Sequence, residues 1–244
     1  MIIRRLGSTD LLISQPDHAA LSARILREWH ADHFPDSPRK ASILHAIEEH
    51  DGGWGEIDET LVIDEATGQL LDFVELSDEL KRETSWRGIE RLAEDPYAAA
   101  LVAQHRLHVY RRYKDHPEWR EFFDTVRAAR DSHLHAAGEV SLPELLRDYP
   151  LVRVADLASL AFCNDWAEVD GDGCGYSIHL RGTSLFLAPD PFNGRAVEIA
   201  IDAREIDHQP FATAEDARRA VASAAIVTLT GQVSGPTAGL SDSR

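Results

Sequence analysis

The chain has 244 residues, 43% of them hydrophobic, with 42 acidic against 25 basic side chains and a formal net charge of −17. A surface this acidic repels phosphate backbones and anionic lipid, which excludes a nucleic acid polymer or a membrane as partner. A small anionic molecule stays open, because a local group of arginines or a metal ion can reverse the sign inside a pocket.

The apolar content fills a core without covalent staples, and the two cysteines, Cys163 and Cys174, match neither a disulfide framework nor a zinc pattern. With no basic-then-apolar leader and no apolar run near about eighteen residues, a cytoplasmic location is expected.

Met1 to Ile13 reads as an extended lead-in. Ser14-Gln15-Pro16-Asp17 then starts a helix, with proline suited to its first turn and the acid to the positive end of its dipole. Ala20, Leu21, Ile25, Leu26 and Trp29 follow at helical spacing, and His18 lies in the first turn as either a ligand or a solvated capping residue. Ser37-Pro38 opens the next helix, whose buried stripe is Ile43, Leu44 and Ile47, and which runs into His50-Asp51-Gly52-Gly53-Trp54. Glycine after a helix end is the residue that takes the left-handed conformation at no steric cost, so the chain is expected to bend there and turn His50 and Asp51 toward one point. An imidazole nitrogen beside a carboxylate is an ordinary pair of ligands for a divalent metal. His45 stands roughly 140° round the axis from His50 and is expected on another face.

Residues 52 to 76 form a long excursion that leaves from this pair and is placed to wall a pocket. Ser77 to Glu94 is a helix with Leu80, Trp86, Ile89 and Leu92 inward; Arg87 beside them is an anion-binding candidate or a solvated helix arginine. Asp95-Pro96 starts a further helix to Tyr113, on which His105 shares a face with Leu101 and points inward, as a structural group or a ligand. Pro117 to Ala137 is charged and helical. A short helix then reaches Tyr149-Pro150, and a separate one follows from Leu151 to Cys163, the most apolar of the chain, with Asp156 near its middle. A carboxylate there needs a partner, either an arginine such as Arg153 or a metal. Short β-type runs follow Trp166, at 176 to 180, 184 to 187, 196 to 201 and 225 to 230, with one helix from Ala214 to Ala222. The expectation is a mainly α protein: a helical body over 1–166, a small strand-rich (α+β) subdomain over 167–234, and a flexible tail over 235–244.

His18, His50-Asp51 and Asp156 stand in the order H…HD…D, with glycine after the pair. This resembles the HD superfamily of all-helical metal-dependent phosphohydrolases. A closer resemblance is to an uncharacterised bacterial family of HD-like proteins, a domain of unknown function, carried by Gln15-Pro16-Asp17-His18-Ala19-Ala20-Leu21-Ser22, His50-Asp51-Gly52-Gly53-Trp54, Trp86-Arg87-Gly88-Ile89, Asp95-Pro96-Tyr97 and Asp156-Leu157-Ala158-Ser159-Leu160. Trp54 stands where many HD hydrolases place lysine.

The resemblance implies an HD-like helical bundle in which His18, His50, Asp51 and Asp156 hold a divalent metal (Mn, Fe, Ni, Zn or Mg). It further implies hydrolysis of a small phosphate ester or nucleotide, with Asp51 and His105 in catalytic roles and Arg87 and Trp54 at the substrate. Two alternatives go with it. One is a di-iron oxygenase of HD type, with His105 and His45 as extra ligands; the other is a binding or regulatory module without turnover.

Overall fold

Two short strands, β1 (Ile2–Arg5) and β2 (Thr9–Ile13), open the chain as an antiparallel hairpin. The computed structural model describes residues 1–138, 140–171 and 173–236, so most of the expected tail, residues 237–244, lies outside the described residues. Helices α1 (Gln15–Arg27), α2 (Lys40–Glu49), α3 (Gly55–Thr60), α4 (Asp78–Glu90), α5 (Pro96–Val109), α6 (Arg120–Ala136) and α7 (Leu142–Asn164) follow. After them come β3 (Glu168–Asp170), β4 (Ser177–Arg181), β5 (Ser184–Ala188), β6 (Val197–Asp207), α8 (Ala214–Ser223) and β7 (Ala225–Ser234).

The strands form one seven-stranded sheet in the order β1-β2-β6-β7-β5-β4-β3, antiparallel throughout except for the β5–β7 pair. The fold is therefore mixed α/β. This corrects both the mainly α, HD-like bundle with a small C-terminal strand subdomain and the all-α class, because the N-terminal hairpin joins the C-terminal strands through β2 and β6. The pair Leu12↔Arg204 shows why local patterning misses it: its partners are far apart in the chain, and neither strand announces the other.

Alternation along β2 assigns its two faces. Leu11 and Ile13 point into the main core with Leu21, Ile25 and Leu26 of α1. Leu12 points to the opposite face, into a smaller cluster with Ile3, Ile206 and Ala217 of α8. On the main side, α1, α2, α5 and α7 pack together, and α7 reaches β1, β3 and β4.

Several helix starts match their sequence signals. The Ser14 side chain accepts from Asp17 N at α1, Asp95 accepts from Ala98 N at α5, and Ser141 forms a reciprocal box with Glu144 at α7. Helix α2 starts later than Ser37-Pro38 suggests, at Lys40, and has no side-chain cap. The two helices expected around Tyr149-Pro150 are a single one, α7, with Pro150 inside it. Proline there removes one backbone hydrogen bond. Burial of Leu145, Leu151, Val152, Val154 and Leu157 on the same helix offsets that loss.

Gly52 and Gly53 do not take the left-handed conformation; Gly52–Trp54 is a 3-10 turn that continues into α3. Gly53 is required for a different reason, close approach to α4. A Cβ on it would overlap the Thr84 carbonyl oxygen and lie 2.6 Å from Gly88 N, both of them backbone. At Gly55 an added Cβ would meet only Pro16 Cγ at 3.8 Å. Gly53→Ala is expected to lower the melting temperature by about 3–10 °C, since overpacking against immobile atoms costs about 1–3 kcal/mol. Gly55→Ala should stay within about 2 °C of wild type. Equal melting temperatures for the two variants would remove the close-approach explanation.

Candidate metal centre

Four helices meet at one buried point, and each brings a potential ligand to it. His18 sits in the first turn of α1, His50 caps the C-terminus of α2 with Asp51 next to it, His105 lies on α5, and Asp156 lies near the middle of α7. All five are buried. The described residues contain two overlapping groups able to hold a metal ion, His18-His50-Asp51 and His50-His105-Asp156, with ligand atoms inside each group within 4.8 Å of one another.

The distances suit a single ion. Asp156 Oδ1 is 3.2 Å from His18 Nε2 and 3.4 Å from His50 Nε2. Asp51 Oδ2 is 3.7 Å from His18 Nε2 and 3.4 Å from His50 Nε2. Ligands about 2.1 Å from one metal lie about 3.0 Å apart at a right angle and about 3.4 Å apart at the tetrahedral angle. His50 Nε2 is buried without any hydrogen-bond partner, which a cation between the two carboxylates would explain.

The remaining imidazole nitrogens are held so that each Nε2 faces inward. His50 Nδ1 donates to the Ile47 carbonyl at 2.7 Å. Ser159 Oγ gives its proton to the His18 carbonyl at 3.0 Å, so it accepts from His18 Nδ1 at 2.8 Å. Hydrogen bonds of this kind fix the tautomer and aim the free nitrogen. Two arginines hold the outer carboxylate oxygens: Arg106 bonds Asp51 Oδ1 at 2.6 Å and the His50 carbonyl, and Arg153 bonds Asp156 Oδ2 at 2.6 Å. Asp156 thus faces Arg153 with one oxygen and His18 and His50 with the other, so the arginine expected as its partner leaves the second oxygen turned to the cluster.

A cavity of about 240 Å³ opens against this cluster, lined by its members Asp51, His105 and Asp156 and by Trp54, Phe73, Leu157, Leu160 and Trp166 among others. A larger concavity of about 490 Å³ lies among α3, α8 and β6. It is lined by no histidine and no member of the cluster.

Burial opposes charge at each of these groups, and their mutual contacts override it everywhere except at His105. At His18 burial lowers the pKa, but the hydrogen bond to Asp156 carries it up to about 9. His50 is also raised, burial being outweighed by the Asp51 charge. Burial pushes Asp51 up, yet the charges of His50, Arg106 and His18 hold it at about 2. Asp156 stays well below the ordinary carboxylate range despite burial, through its contacts with His18 and His50 and the Arg153 charge. Burial wins only at His105, which is pushed well below the usual histidine range and is neutral.

A family model described as "Protein of unknown function (DUF3891)" matches residues 1–216. The chain belongs to the DUF3891 family. No curated protein and no solved structure matches it.

DUF3891 membership brings no reaction with it, so the placement of the remaining candidates rests on geometry. Trp54 is buried in the cavity wall, its ring 6.5 Å from that of Phe73. Arg87 is not brought there. It pairs with Glu56 at 3.1 Å and Glu83 at 2.5 Å and does not line the cavity. His45 is on an outer face, 3.0 Å from Asp95. Sequence reading missed Arg106 and Ser159. The usable signals were an arginine inside the apolar helix that carries His105, and a serine one turn beyond Asp156. Among the described residues, no helix is long and apolar enough to cross a membrane.

Proposed function

We propose that His18, His50, Asp51 and Asp156 hold one divalent metal ion and that the protein is a metal-dependent hydrolase of small phosphate esters. The observation that carries this reading is the four nitrogen–oxygen separations of 3.2–3.7 Å that link His18 and His50 to Asp51 and Asp156, with the partnerless Nε2 of His50 among these atoms, beside a small cavity. A metal bound there supplies a water of lowered pKa and neutralises charge on a phosphoryl oxygen. Arg106 and Arg153 hold the outer oxygens of the two carboxylates and keep the inner oxygens aimed at the site. Neutral His105 opens on the cavity and can take or return a proton at the reacting group.

The two potential groups share His50, whose Nδ1 is committed to the Ile47 carbonyl, so its one available nitrogen serves one ion at a time. That favours a mononuclear site over the di-iron alternative. Elemental analysis of protein purified without added metal tests the assignment. About one equivalent of Mn, Fe, Ni, Zn or Mg is expected in wild type, with loss in Asp51→Ala. Asp51→Asn is a second probe, since its amide oxygen can still accept from Arg106 if the alanine variant leaves that cation unpaired and unfolds. Metal retained in both variants would sink the ligand set. A metal-loaded protein inactive against a phosphate-ester panel would point to the non-catalytic module.

A further inference from the structure

The cavity wall carries two carboxylates, Asp51 and Asp156, and four cationic side chains, Lys81, Arg106, Arg112 and Arg153, in a chain whose net charge is −17. The cations are not equivalent. Arg106 and Arg153 are each bound to one of the site carboxylates, so their charge is spent within the cluster. Arg112 lies over the Tyr113 ring and donates to its hydroxyl at 2.8 Å.

Lys81 on α4 differs from all of them. It is only 6% exposed, and its Nζ donates to a neutral acceptor, the Val74 carbonyl, at 2.9 Å. Among the described residues no carboxylate lies within ion-pair distance of it, and no further partner accounts for its charge. An ammonium has three donors, and burying one without a counter-charge is costly. Neither inner carboxylate supplies that counter-charge, so Lys81 marks a position in the cavity separate from the metal ligands.

We propose that Lys81 binds a second anionic group of the substrate, which is then a small phosphate ester carrying a further carboxylate or phosphate; the inference rests on the phosphate-ester reading above. The cavity's apolar side chains, Trp54, Phe73, Leu157, Leu160 and Trp166, enclose the short body joining the two charged ends. The small volume restricts that body to a few carbons, below the roughly 300 Å³ at which sites for drug-sized ligands begin. A bare monoester leaves the Lys81 charge unmatched.

The test uses Mn²⁺-loaded protein and two series of non-hydrolysable probes, studied by calorimetry. One series is phosphonoacetate, 3-phosphonopropionate and 4-phosphonobutyrate; the other is the alkylphosphonates of matching length. In wild type, at least one phosphonocarboxylate is expected to bind about 10–100-fold tighter than its alkyl counterpart, the range of a charge-assisted hydrogen bond. Lys81→Met keeps the packing and should abolish that preference, with alkylphosphonate affinity and manganese content unchanged. Lys81→Arg should restore it, which a residue that only fastens the Val74 carbonyl would not require. Equal binding of the two series by wild type, or a preference that survives in Lys81→Met, overturns the role of Lys81 and leaves the phosphate-ester reading standing. Binding of neither series overturns both.

Discussion

Asp156→Ala is expected to strip the metal and also to destabilise the metal-free protein. Its inner oxygen is the closer of the two carboxylate oxygens shared by His18 and His50, at 3.2 and 3.4 Å, and its outer oxygen is bound to Arg153. Loss of an outer residue that merely orients a ligand costs about 10–100-fold in metal affinity, so loss of the ligand itself should cost at least about 100-fold. In the metal-free protein the same change takes the Asp156 carboxylate from a partly buried guanidinium, so the cost should fall below the about 3–5 kcal/mol of breaking a fully buried pair. The double variant Asp156→Leu with Arg153→Met separates the two effects. Removing both charges and filling the space should recover most of the stability in chelator, because apolar replacement of a whole buried pair is often neutral or better. It should recover none of the metal. Metal content after dialysis and chemical unfolding in chelator measure the two independently. Wild-type metal affinity in Asp156→Ala would require the ligand set to be rebuilt around His105.

The cluster was legible because each member disturbs its surroundings in a way that local chemistry makes visible. Asp156 is an acid in the most apolar helix, His18 follows a proline-acid helix start, and His50-Asp51 precedes two glycines. The structure brings these four residues together, yet the glycines do not form the left-handed helix end that their position suggests. Gly53 serves a backbone approach to α4, which depends on a helix that begins 25 residues later. The sheet was illegible for a similar reason. Strands β4 to β7 were visible as short apolar runs, but nothing in Thr9–Ile13 indicates that its partner is Arg204 and its neighbours. Arg87 and Lys81 lie on the same helix, and sequence pattern favoured the one beside the apolar stripe. Only the placement of Glu56, Glu83 and the cavity shows that Arg87 is neutralised and Lys81 is not. Long-range pairing and counter-charge are properties of the assembled chain, and no window of residues contains them.

Metal binding is expected to release protons and to strengthen steeply with pH. In the metal-free protein the His18 pKa is raised to about 9 and that of His50 is raised as well, so protons on the two imidazoles, that of His18 above all, compete for the position between the carboxylates at neutral pH. A ligand histidine must be neutral, so the metal displaces them. Mn²⁺ affinity should therefore rise up to about tenfold per pH unit between about pH 7 and 8.5 from His18 alone, and heats measured in buffers of different ionisation enthalpy should reveal about one proton released from it, with any on His50 in addition. His105, already neutral, contributes none. Stability of the metal-free protein follows the same groups with the opposite trend. A folded pKa raised from about 6.5 to about 9 gives stabilisation that is fully present below about pH 6.5 and lost as pH rises through about 9. For His18 this amounts to roughly 3 kcal/mol. Asp51, held at about 2, gives stabilisation that is present above about pH 4 and lost as pH falls through about 2. These two groups contribute most between about pH 4 and 6.5, while His105, held neutral in the fold, subtracts as pH falls below about 6.5, so the metal-free protein should be most stable near pH 6.5 and soften toward pH 9. The metal-loaded protein should hold its melting temperature over that upper range, because the ion then provides the charge that the protons give up. Calorimetric melting with and without chelator at pH 6 and pH 9 checks it, and parallel decline of the two forms would mean that proton and metal do not compete for one place.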